Sequence, residues 1–147
     1  DMTYDFQDGN GPVAAHQHPN GGGWVADTAS VEPTAYVGLN AKVYGNASVF
    51  GHANVFGNAR VSGYAMVSGN ASVFGNAIVF GNAMVYDDAG VFGNAIVFGN
   101  ASVFGNASVF GNAEVSERAL VSGNAKVSGR ALVSGRARVF GNAMVCD

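Results

Sequence analysis

From Trp24 onward the chain repeats one apolar and polar pattern with a period of six. Val stands at every sixth position from Val25 to Val145, twenty-one times, and Ala at every sixth from Ala29 to Ala143, twenty times. Neither series has an exception. Gly fills the second place after Val in fifteen of the twenty Val-to-Ala intervals, most often followed by Asn. The unit is V-x-G-N-A-x, with no insertion. A period of six is not helical. In an extended segment Ala and the Val two residues on point the same way, and the x residues point the other way. Gly-Asn supplies the corner, since both residue types tolerate positive φ. Each hexad therefore predicts a short strand plus a turn.

Three strands and three corners close one triangular coil of eighteen residues, so twenty-one hexads make seven coils. At one strand spacing per coil the rod is about 34 Å long. Val stacks on Val and Ala on Ala, which leaves a thin, dry interior with no ligand cavity. Asn40, Asn58, Asn76, Asn94 and Asn112 fall eighteen apart and predict an amide ladder at one corner. The turn preference of Asn is sufficient to explain them without any further role.

The aliphatic residue, the small residue four places on and the Asn just before it resemble the hexapeptide-repeat, left-handed parallel β-helix proteins. The resemblance covers Trp24 to Asp147, about five-sixths of the chain. The GNA-V version looks most like uncharacterised bacterial repeat proteins whose chains read GNARVSGNARV. It implies the left hand; general crossover rules favour the right. One departure is that Phe, Tyr or Ser follows Val where enzymes of the family often carry Gly. The family includes acyltransferases and γ-class carbonic anhydrases, whose sites form between subunits and use His.

Outward positions carry aromatic rows. Phe56, Phe74, Phe92 and Phe110 form one; Tyr44, Phe80 and Phe98, beside Ile78 and Ile96, a second; Phe50, Tyr86, Phe104 and Phe140 a third. Such rows stabilise a parallel stack, and contiguous exposed apolar surface also marks contact with a partner. Residues 1–23 are the aperiodic part: turn signals at Asp8-Gly9 and Asn10-Gly11-Pro12, apolar Tyr4, Phe6 and Val13, and Gly21-Gly22-Gly23, which reads as a hinge. The domain plan is thus a cap or junction arm over 1–23 and a solenoid over 24–147.

Composition removes several classes of function. Net charge is −3 with only 12 % charged residues and no Lys/Arg cluster, which argues against a nucleic-acid partner. No apolar run approaches the roughly 20 residues of a membrane span. A start at "DMTYDF" is compatible with removal of a signal peptide. A single Cys146 forms no internal disulfide. Histidine occurs only as His16, His18 and His52. His52 replaces Asn at a corner and reads as a turn residue. His16-x-His18 has metal-compatible spacing but no evident third ligand. Asp87-Asp88 replaces Gly-Asn at one corner. We therefore expect no catalytic, cofactor or metal residues. Asn46, Asn70, Asn100 and Asn106 each begin Asn-Ala-Ser, the N-glycosylation acceptor, which this repeat also produces without selection for it.

Charge is uneven along the chain. Residues 1–41 carry −5, from Asp1, Asp5, Asp8, Asp27 and Glu32; residues 113–147 carry +2. The chain reaches "GNAMVCD" in mid-repeat. An uncovered coil is a strand edge, which templates another. These features together predict a non-catalytic structural subunit that stacks head to tail into an extracellular fibre. Its partners would be copies of itself, with lateral bundling and attached glycans. The expected junction residues are Tyr4, Phe6, Trp24, Arg136, Arg138, Val139 and Val145. The alternative is a fibre or adhesin-type binding module whose aromatic rows hold carbohydrate or protein.

Overall fold

The computed structural model describes residues 2–147; Asp1, counted in the acidic first stretch, lies outside them. The described residues form a parallel β-solenoid of about seven coils. Each hexad after the first contributes one two-residue strand, x followed by Val. Two strands precede the repeat, β1 (Thr3–Asp5) and β2 (Pro12–Gln17). The first coil carries β3 (Trp24–Ala26), β4 (Ser30–Val31) and β5 (Tyr36–Val37). Three sheets form the three faces: one of nine strands that includes β1 and β2, and two of seven.

Strands pair in parallel with a shift of eighteen residues, so Val79 lies between Val61 and Val97. The ladder runs through the corners as well as the strands. In one hexad, Lys42 N–H donates to the Ala59 carbonyl at 3.0 Å, Tyr44 to Val61 at 3.0 Å and Asn46 to Gly63 at 2.7 Å. Ala47 N–H closes the turn on the Tyr44 carbonyl at 3.4 Å. The interior is a single column of Val and Ala, almost all fully buried from Val25 to Val127. β-Branched Val suits the strand and Ala suits the narrow corner.

The corners differ from the expectation in one respect: positive φ belongs to the Gly position alone. Gly93 sits at +63°, and the non-Gly substitutes Asp87 and Glu117 adopt +55° and +56° in the same place. No Asn has positive φ. Tyr64, Asp88 and Arg118 fill the Asn position and make the same backbone bond, to Gly81, Gly105 and Gly135. Gly is favoured on two grounds. A Cβ on Gly93 would also meet the Gly111 nitrogen at 2.9 Å, because corner backbones stack directly on each other.

Two pairs of substitutions test these assignments by urea denaturation. Val79→Asp should cost about 4 kcal/mol or more, because it puts a charge in a dry interior with no partner. Phe74→Ser should cost about 1–3 kcal/mol, the worth of its two ring stacks. Equal losses would contradict a dry interior. Gly93→Ala should cost about 2–5 kcal/mol from positive φ and crowding together. Asn94→Ala, at the next residue, should stay near 0.5 kcal/mol. If the Asn change cost as much as the Gly change, the corner would depend on both residues.

Candidate functional site

The N-terminal segment packs on its own first coil. β1 pairs antiparallel with β2, and β2 runs antiparallel along β3, with Ala15 opposite Ala26 and Gln17 opposite Trp24. Residues 18–23 then cover the edge of β5. Val37 N–H donates to the Asn20 carbonyl and Gly23 N–H to the Val37 carbonyl, both at 3.0 Å. His18 is 3 % exposed, with Nε2 2.7 Å from the Ala35 carbonyl. Gly21-Gly22-Gly23 is a packed turn, where a hinge was expected. A Cβ on Gly21 would lie 2.1 Å from the Val37 carbonyl oxygen, and one on Gly23 2.2 Å from that of Gly38. β4 and β5 are the edge strands of their sheets on this side; residues 18–23 bond to β5, and among the described residues no such backbone bond from the arm reaches β4.

Tyr4, Phe6 and Trp24, three of the expected junction residues, meet one another inside this chain. Tyr4 stacks on Trp24 at 4.8 Å, Phe6 stacks on Tyr44 at 4.9 Å, and Tyr4 meets Phe6 edge-on at 4.8 Å. Phe6 is 1 % exposed. Arg60 reaches back from the third coil and donates to the Phe6 carbonyl at 3.0 Å. The other four lie in the last coil. Val139 and Val145 face the interior, while Arg136 and Arg138 are exposed. The two groups therefore occupy opposite ends of the rod.

The aromatic rows form where the spacing of eighteen puts them. Phe56, Phe74, Phe92 and Phe110 stack at 4.8–4.9 Å with ring planes within 6° of parallel. Phe80 and Phe98 stack at 5.1 Å, and Tyr86 and Phe104 at 5.0 Å. Tyr44 does not join Phe80, because Ser62 intervenes and its ring is taken by Phe6. Most of these rings are half-buried, so the rows offer less apolar surface than three fully exposed faces would. Phe74 and Phe92 have a ring on both faces, while the ring at each end of a row stacks on one neighbour only. Burial, and then the adjacent Asp87 carboxylate, push the Tyr86 phenol above its ordinary pKa.

The polar candidates do not converge. His16 is exposed and its Nδ1 lies 2.7 Å from Asp27 Oδ1, whereas His18 is buried against Ala35. Among the described residues no three His, Cys, Asp or Glu side chains come together to hold a metal. His52 is a corner residue, its N–H bonded to Gly69 like any Asn. Asp87 Oδ2 accepts from the Gly105 N–H at 3.0 Å, and Glu32 Oε1 from that of Gly51 at 2.8 Å. Both acids cap a corner donor of the next coil. The amide ladder is shorter than its sequence spacing: Asn58 bonds Asn76 at 3.4 Å and Asn76 bonds Asn94 at 3.3 Å, without Asn40 or Asn112. Asn46, Asn70, Asn100 and Asn106 are all exposed at corners, although Ser102, which completes the Asn100 tripeptide, is buried. Asn10 donates its backbone and then its side-chain N–H to Asp8, which lowers that carboxyl below its usual range.

Sequence reasoning gave His18 only a metal-compatible spacing and passed over Arg60. Both act through backbone carbonyls of the arm and first coil, and a lone His or Arg carries no signal for that. No helix of the described residues is long and apolar enough to cross a membrane. Among known families, the model described as YdcK beta solenoid repeat matches residues 53–69. No curated protein and no solved structure matches the chain. The matched stretch is just under one coil long, and over it the chain is similar to that family's β-solenoid repeat.

Proposed function

We propose that the chain is a non-catalytic structural subunit, a rigid solenoid rod that assembles with copies of itself, in the left-handed form the hexad resemblance implies. One observation carries this reading: every coil pairs with the next in the same register, Val on Val, from the first coil to the last. Coils so alike are interchangeable, and any uncovered coil is a template for another. Charge favours one polarity, with Asp27 and Glu32 on the first coil and Arg136 and Arg138 on the last. Such a contact is head-to-tail and yields open filaments.

The arm alters how that assembly would run. Strand β2 and residues 18–23 occupy two of the three edges that an incoming rod would need. End-to-end growth therefore requires the arm to leave the first coil, which makes residues 1–23 a cap on assembly; the expected bracing of a junction fits their position less well. The extracellular setting rests on the exposed Asn-Ala-Ser corners alone. A carbohydrate-binding reading is less favoured. Sugars stack on ring faces, and in these rows each stacked ring gives one face, and Phe74 and Phe92 both, to a neighbouring ring.

Negative-stain microscopy of the intact chain and of a deletion of residues 1–20 tests the reading. The intact chain should give short rods, and the deletion, while remaining β-rich by circular dichroism, should give longer filaments. Discrete rods of equal length from both proteins would sink self-assembly by stacking and favour a stand-alone module.

A further inference from the structure

The third aromatic row is interrupted. Tyr86 and Phe104 stack at 5.0 Å, Ser122 occupies the next coil, and Phe140 the one after. Phe104 and Phe140 are thus two coil steps apart, about 10 Å at the strand spacing. One ring placed midway would sit about 5 Å from each, the separation of the rings already stacked in this row. An open cleft of about 340 Å³ occupies this place, lined by Phe104, Leu120, Ser122, Arg138 and Phe140. That volume is at the small end of ligand pockets, which run about 300–1,000 Å³. Leu120 and Arg138 are strand neighbours beside the gap. Among the described residues Arg138 makes no side-chain hydrogen bond or ion pair, and no acidic side chain lines the cleft.

Two other gaps have the same spacing and lack something. At Ser62, between Tyr44 and Phe80, Phe6 already covers the Tyr44 ring and Arg60 is held by the Phe6 carbonyl. At Ser68, between Phe50 and Tyr86, the flanking side chains are Met66 and Met84, with no cation. Ser122 combines two free ring faces with an unengaged guanidinium.

We infer that the Ser122 gap is a binding slot for a small planar aromatic carboxylate. The ring inserts between Phe104 and Phe140 with its edge toward Leu120, and the carboxylate takes the two-pronged donor face of Arg138. The acid group belongs on the ring itself. A Phe, Tyr or Trp side chain from a protein partner fills the slot but leaves Arg138 unpaired, so a free aromatic acid is the better occupant. The slot lies on a side face of the rod, and of its lining residues only Arg138 is also among the charges that favour end-to-end docking.

The test is fluorescence titration with 2-naphthoate, with neutral 2-naphthamide as the comparison probe. Intact protein should bind one naphthoate saturably, with Kd of about 0.1–5 mM, and the amide about tenfold more weakly. Ser122→Phe, which continues the row, should abolish binding while circular dichroism stays that of the intact rod. Ser68→Phe, which fills the gap without a cation, should leave binding unchanged. Arg138→Gln should weaken naphthoate about tenfold and bring it level with the amide. Phe140→Ser removes one wall, should also weaken binding about tenfold, and decides the matter if Ser122→Phe fails to fold. Undiminished binding in Ser122→Phe or in Phe140→Ser, or no saturation of the intact protein up to about 10 mM, would overturn the proposal.

Discussion

Backbone hydrogen bonds between successive coils fix a rise of about 4.8 Å, and every residue must live with its own counterpart at that distance. This one constraint selects residue types at each of the six places. Inside, a β-branched side chain can sit on its copy without leaving a void, so Val is never replaced. At the corner two backbones pass so closely that a Cβ would meet the next nitrogen at 2.7–3.1 Å over most of the rod, so Gly recurs. Outside, aromatic rings suit the same rise, because 4.8–5.1 Å is a favourable separation for parallel, offset rings. The repeat is monotonous because the distance is.

The exceptions at the corner show how strict that distance is. Asp87 and Glu117 occupy Gly positions at positive φ, a conformation that costs a non-Gly residue about 1–2 kcal/mol. Asp87 offsets part of this by accepting a hydrogen bond from the Gly105 N–H, a donor that the ladder leaves over. Glu32, in the first coil, does the same for Gly51 by a longer reach. We have no comparable account of Glu117.

Much of the solenoid was legible in the sequence because its information is local and repeated. Period, inward and outward sides, register and the Phe56 to Phe110 stack all follow from spacing of six and eighteen. The arm was not legible, for a physical reason. Its contacts are single and long-range: His18 on the Ala35 carbonyl, Arg60 on the Phe6 carbonyl, Tyr4 on Trp24. None recurs, so none announces itself. Gly21-Gly22-Gly23 misled in the same way. Gly suits both a loose hinge and a backbone pressed against another backbone, and only the position of Val37 decides between them.

The same constraint bears on what such a rod can recognise. A ring inside a row spends both faces on its neighbours, so an unbroken row is a stabilising device with little face left for a ligand. Recognition by ring faces needs a row end or a break; only a break offers two facing rings, and it costs the stacking of two ring pairs, about 1–3 kcal/mol in all. Ser62, Ser68 and Ser122 are such breaks, each with a ring on either side. Phe6 already answers the first through Tyr44, and flexible Met side chains flank the second. The third faces a cation that no other described side chain engages. Variety in this chain is scarce, and function is to be sought where the repeat is interrupted.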